Sequence, residues 1–120
     1  GVAARHADWW NVVHKPTQLA RRAAQADEAC ARVGRDPRTL RRSVYLNVFL
    51  ADSATDARRA AGARLDTPQP PFAGTPEGLA DHLAELVALG FDAFQLVFGD
   101  FPRTDDIELF LARTLPAFRA

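Results

Sequence analysis

Apolar residues recur along this chain with two different periods. Between positions 16 and 33 they fall at Leu19, Ala23, Ala26, Cys30 and Val33, the three-and-four spacing of one helical face. Glu28 and Arg32 stand one turn apart and can pair on its outer side. From Arg42 to Ala51 the period drops to two. Val44, Leu46, Val48 and Leu50 are aliphatic, while Tyr45, Asn47 and Phe49 between them are larger or polar. That pattern predicts a strand whose two faces meet different surroundings. The run from Gly74 to Phe98 joins both periods. Thr75 can cap a helix that Pro76 opens, and Leu79, Leu83, Leu86, Val87 and Gly90 share one face. Gly90 closes it, and Ala93 to Phe98, apolar except for Gln95, reads as a strand covered on both sides.

The remaining segments fill in the order. Asp8-Trp9-Trp10-Asn11-Val12-Val13 is aromatic and β-branched, hence a strand. Arg35 to Leu40 is a turn or a single helical turn. Ser53 caps a helix from Ala54 to about Leu65, with Asp56 placed as in a capping box. The prolines of Asp66 to Gly74 predict a loop without regular structure, anchored by Phe72. A last helix from Asp105 to Phe118 turns Ile107, Phe110, Leu111, Leu115 and Phe118 inward. Strands near 8–13, 43–50 and 93–98 thus alternate with helices near 16–33, 54–65, 76–89 and 105–118. This is an α/β pattern, with parallel pairing through right-handed crossovers. Three parallel strands alone leave bare edges, so part of a (β/α)8 barrel fits better than a complete doubly wound domain. No Gly-x-Gly-x-x-Gly follows any strand, which weighs against a dinucleotide fold.

Composition narrows the partners. The formal net charge is zero, so the arginine pairs Arg21-Arg22, Arg41-Arg42 and Arg58-Arg59 read as solvated faces, not a nucleic-acid footprint. Cys30 is the single cysteine, which rules out an internal disulfide and a cysteine zinc cluster. His6, His14 and His82 lack ligand spacing, with His82 placed toward the solvent side of its helix, so no metal site is expected. No apolar run approaches the roughly 20 residues of a membrane span. With no signal-peptide pattern either, a cytoplasmic location is the expectation. No methionine occurs, and Gly1-Val2-Ala3-Ala4-Arg5 reads like the tail of a helix. The chain is therefore expected to be a piece of a longer protein.

Four stretches in order carry a family likeness. They are Ala3-Ala4-Arg5-His6-Ala7-Asp8-Trp9-Trp10-Asn11, Cys30-Ala31-Arg32-Val33-Gly34-Arg35-Asp36-Pro37, Gly74-Thr75-Pro76-Glu77 with Leu89-Gly90-Phe91-Asp92, and the ending Leu115-Pro116-Ala117-Phe118-Arg119. Together they resemble the C-terminal portion of the luciferase-like monooxygenases over nearly the whole of residues 1–120. The resemblance implies one domain portion, the C-terminal part of a (β/α)8 TIM barrel. It implies a flavin- or deazaflavin-dependent oxidoreductase or monooxygenase acting on a small organic substrate, with FMN or the deazaflavin coenzyme F-420 as cofactor. It also implies a homo-oligomer, or pairing with the rest of the barrel. Trp9 stands where the family usually has Gly, and the family's glycine-rich phosphate segment falls before Gly1. The other reading is a non-catalytic barrel fragment that works only by assembly, the isolated chain being inactive.

Function in parallel barrels gathers at the C-terminal strand ends. There the candidate cofactor-binding residues are Asn11, His14 and Asn47. His14 is either a base or flavin partner, or a solvated loop histidine. Asn11 either fixes a ring or phosphate, or caps its own loop. Asn47 either faces the lumen and a cofactor, or bonds a neighbouring strand. Trp9 and Trp10 are either a ring-pocket wall or core, and the helix opened by Pro76 can offer its N-terminus to an anion. No catalytic residue is assigned.

Overall fold

A computed structural model describes residues 9–13 and 18–118. His14 and the expected helix tail before Asp8 lie outside them. In chain order the elements are β1 (Trp9–Val13), α1 (Leu19–Arg32), β2 (Arg41–Leu50), α2 (Ala54–Ala61), β3 (Phe72–Gly74), α3 (Pro76–Ala88), β4 (Ala93–Phe98) and α4 (Asp105–Leu109). All pairings in the sheet are parallel, and β2 is its centre. Ser43 faces Asn11 of β1 and Ala93 of β4, so these strands flank it. Val48 faces both Phe72 and Phe98, which puts β3 beside β2 on the edge opposite β4.

Register assigns every strand residue to one of two faces. The even positions Val44, Leu46, Val48 and Leu50 are buried, together with Val12 of β1. Leu19 and Ala23 of α1, and Leu79, Leu83 and Leu86 of α3, pack on them with Phe91. Each fully buried aliphatic contributes about 1.5–3 kcal/mol, so this layer holds the fold. The ends of the helices are built as expected. Thr75 Oγ1 accepts from Gly78 N at 3.0 Å and Ser53 Oγ from Asp56 N at 3.1 Å. Gly90 closes α3 at φ +100°, a conformation that a side chain would strain.

Several expectations need correction. The proline-rich segment carries a short strand: β3 pairs with the end of β2, because Phe72–Gly74 follows the last proline of the run and its donors are free to bond. β4 is covered on one face alone. Gln95 and Val97 are exposed, since no helix among the described residues packs over their face. Val87 is also exposed, and with Leu83, Phe94, Phe110 and Phe118 it lines an open apolar groove of about 360 Å³. The last helix is regular only over α4; a wide turn over Phe110–Thr114 and a tight one over Leu115–Phe118 follow. Phe110 packs half-buried on the core with Leu109, as expected of it, but the fully buried residues of this segment are polar. Asp106 accepts from Leu50 N at 3.1 Å, and Thr114 Oγ1 donates to Pro76 O at 2.8 Å. These bonds to backbone set its rotation and leave Ile107, Leu111 and Phe118 exposed. Arg42 is not a solvated strand entry. It is buried on the even face, where its guanidinium pairs with Asp27 and donates to Ala23 O. His82 is half-buried, its ring stacked on Phe72 at 5.5 Å.

Candidate functional site

The odd face of β2 and β4 ends in a cavity of about 400 Å³ at the C-terminal side of the strands. Asn47 and Val97, which face each other in register, form its floor with Gly99. Arg64, Thr67, Gln69 and Pro71 come over from the segment after α2. The Asn47 side chain is exposed and makes no hydrogen bond to a described residue.

Two features shape this end. Gly99 N donates to Val48 O at 2.8 Å, which extends the β4 ladder by one residue. A Cβ on Gly99 would stand 2.2 Å from the Phe49 ring, so the bare backbone is what lets that ring lie flat and buried. The Arg64 guanidinium sits 5.2 Å over the same ring. Thr67 Oγ1 donates to Arg64 O at 2.9 Å and closes the tight turn Gly62–Asp66 that carries the arginine. Among Asn47, Arg64, Thr67 and Gln69 there is no group that titrates near neutral pH. The arrangement can bind and orient a ligand.

Asn11 lies on the same face but elsewhere. It is opposite Ser43, four positions before Asn47 on β2, and Ser43 Oγ donates to its Oδ1 at 2.7 Å. The structure thus does not bring Asn11 and Asn47 into one cavity. The tryptophans separate: Trp9 is exposed on the odd face with Arg41 4.8 Å over its ring, and Trp10 packs on the helix side near Arg22.

The rim is charged and largely self-satisfied. Arg113 reaches Asp52 at 2.6 Å and Glu77 at 2.9 Å. That pairing holds the Glu77 carboxyl below its ordinary range and raises Arg113 further. At the entrance of α3, Thr75 caps the Gly78 N–H and Arg113 is paired with Glu77. Nearby, burial pushes the Asp106 carboxyl up, against the lowering effect of Leu50 N–H, and Asp100 and Asp105 add to the rise. Asp100 Oδ2 accepts from Asp106 N at 3.0 Å, and its Oδ1 is buried without a partner among the described residues.

Among the described residues no group of three His, Cys, Asp or Glu could hold a metal ion, and no helix is long and apolar enough to cross a membrane. Neither a family model nor a curated protein matches the chain. Solved structures do. A coenzyme F-420-dependent secondary alcohol dehydrogenase, in complex with an F-420–acetone adduct, superposes at TM-score 0.74 with 16% identity, covering 99% of this chain and 45% of that one. A riboflavin lyase with modified FMN and riboflavin gives 0.72 and 16%, over 98% and 39%. A coenzyme F-420-dependent tetrahydromethanopterin reductase from Methanopyrus kandleri gives 0.70 and 15%, over 98% and 47%. The class this defines is a parallel α/β structure, part of a (β/α)8 barrel. What the chain shares with these solved structures is the fold. The chain spans less than half the length of these solved structures.

Proposed function

We propose that this chain is part of a flavin- or deazaflavin-dependent oxidoreductase, with FMN or coenzyme F-420 as cofactor and a small organic molecule as substrate. The observation that carries the reading is the unspent Asn47 amide, which opens into a cavity at the C-terminal end of a parallel barrel sheet. The residues present fit one side of a planar heterocycle. An amide offers a donor and an acceptor to a ring edge, and Val97 and Gly99 give a flat apolar floor beside it. Asn47 would hold the ring, and Asn11 on β1 would line the lumen; His14, outside the described residues, is proposed as a further cofactor partner. The bound cofactor supplies the hydride or oxygen chemistry. The chain's own contribution is orientation and exclusion of water.

Two strand edges and the groove beside β4 are uncovered among the described residues, which supports a unit that works with further barrel strands or with a second copy. We place it in the cytoplasm, as one portion of a single barrel domain. The test is a fluorescence titration of FMN and of coenzyme F-420 against this chain and against a polypeptide that completes the barrel. Tight binding is expected for the completed barrel and not for the chain by itself, because half a site leaves much of the ring in water. No binding by the completed barrel would refute the reading.

A further inference from the structure

We infer that the cavity beneath Arg64 is a subsite for an oxyanion, a carboxylate or phosphate, carried by the organic substrate. The inference rests on the proposed oxidoreductase reading for the word substrate, and on the cavity itself for the anion. The lining holds one cation and no carboxylate. Among the described residues, Arg113 is paired with Asp52 and Glu77, Arg42 with Asp27, Arg38 with Asp36, and Arg103 with Asp105. Arg41 meets no acid among the described residues and stands at the opposite, N-terminal end of β2, so Arg64 is the cation placed at the cavity.

Arg64, like Arg22 and Arg41, is held over an aromatic ring, and it is the one of the three that lines this cavity. The buried Phe49 ring takes its charge electrostatically at 5.2 Å and competes for none of its donors as a carboxylate would. Gly99 makes room for that ring, and the Thr67 bond fixes the turn beneath it. The guanidinium is thus placed in advance, so little side-chain freedom is lost on binding. The amide of Gln69 supplies a further neutral donor at the same opening, and Pro71 gives an apolar wall for the body of the molecule. A small organic acid matches this set. A neutral molecule of the same shape leaves the cation without an anion and gains only the wall.

The experiment is an amide-resolved NMR titration of the chain with benzoate, phenyl phosphate and neutral benzyl alcohol. Both anions are expected to shift Asn47, Thr67 and Gly99 saturably, and benzyl alcohol to bind at least tenfold more weakly. Arg64→Gln should weaken benzoate tenfold or more while leaving resonances away from the cavity in place; Arg64→Lys should restore part of it. Equal affinity for benzyl alcohol, shifts centred on Arg113, or no effect of Arg64→Gln would overturn the proposal. Displacement of benzoate by FMN but not by riboflavin would assign the anion to the cofactor's phosphate and overturn the substrate assignment. A benzoate response alongside failed flavin binding by the completed barrel would count against the oxidoreductase reading alone.

Discussion

The two faces of one strand divide the work of this molecule. On the even face of β2, Val44, Leu46 and Val48 are at most 1% exposed under α1 and α3. On its odd face Asn47 is exposed, and across from it Val97 is 40% exposed. The backbone is the same; the difference lies in what covers each side. A covered aliphatic face contributes transfer free energy at every position. An open position such as Asn47 contributes little to stability and leaves its polar group free to meet a ligand, while Phe49 on the same face is buried under the turn that carries Arg64. Substitutions should therefore separate cleanly into those that unfold the chain and those that blunt binding.

The largest expected effect is on the even face. Leu83→Ala, under the sheet at 4% exposure, should cost about 2–5 kcal/mol in denaturant unfolding. A cost under about half a kcal/mol, the range of ordinary surface changes, would erase the contrast. Next comes the polar tether of α4. Asp106→Ala leaves Leu50 N without its acceptor and should cost about 1–3 kcal/mol. Asp106→Asn keeps an acceptor and removes the charge. Because burial raises the native carboxyl, its stabilising share is complete below the unfolded value and is lost as pH rises through the native one. Unfolding midpoints across acidic to neutral pH should move in favour of Asp106→Asn as pH rises; a constant gap would contradict this. The smallest effect belongs to Leu111→Ala, whose side chain is 52% exposed. It should fall within about half a kcal/mol of the parent on thermal unfolding.

The even face was legible in the sequence because alternation and helical spacing are local patterns. Val44 to Leu50, Leu19 to Cys30, and the caps at Ser53 and Thr75 all follow from neighbours a few residues away. What the sequence hid is non-local. Asp106 and Thr114 point inward because they bond the backbone of Leu50 and Pro76, 56 and 38 residues away. Arg42 is buried because Asp27 meets it from α1. Arg64 belongs to the cavity because a ring on β2 holds it, and nothing in its own segment signals that. Of the candidate site, Asn47 was readable as an amide inside an apolar strand. Asn11 was readable too, but its tie to Ser43 was not.

The most direct test pairs two readouts on one substitution, Asn47→Ala, in a polypeptide that completes the barrel. Flavin or deazaflavin affinity is measured by fluorescence titration and stability by denaturant unfolding. The account predicts weaker cofactor binding, by about tenfold for the loss of one hydrogen bond of about 1.4 kcal/mol, with stability unchanged within about half a kcal/mol. Unchanged affinity, or a loss of stability large enough to explain the loss of binding, would contradict the division of the two faces.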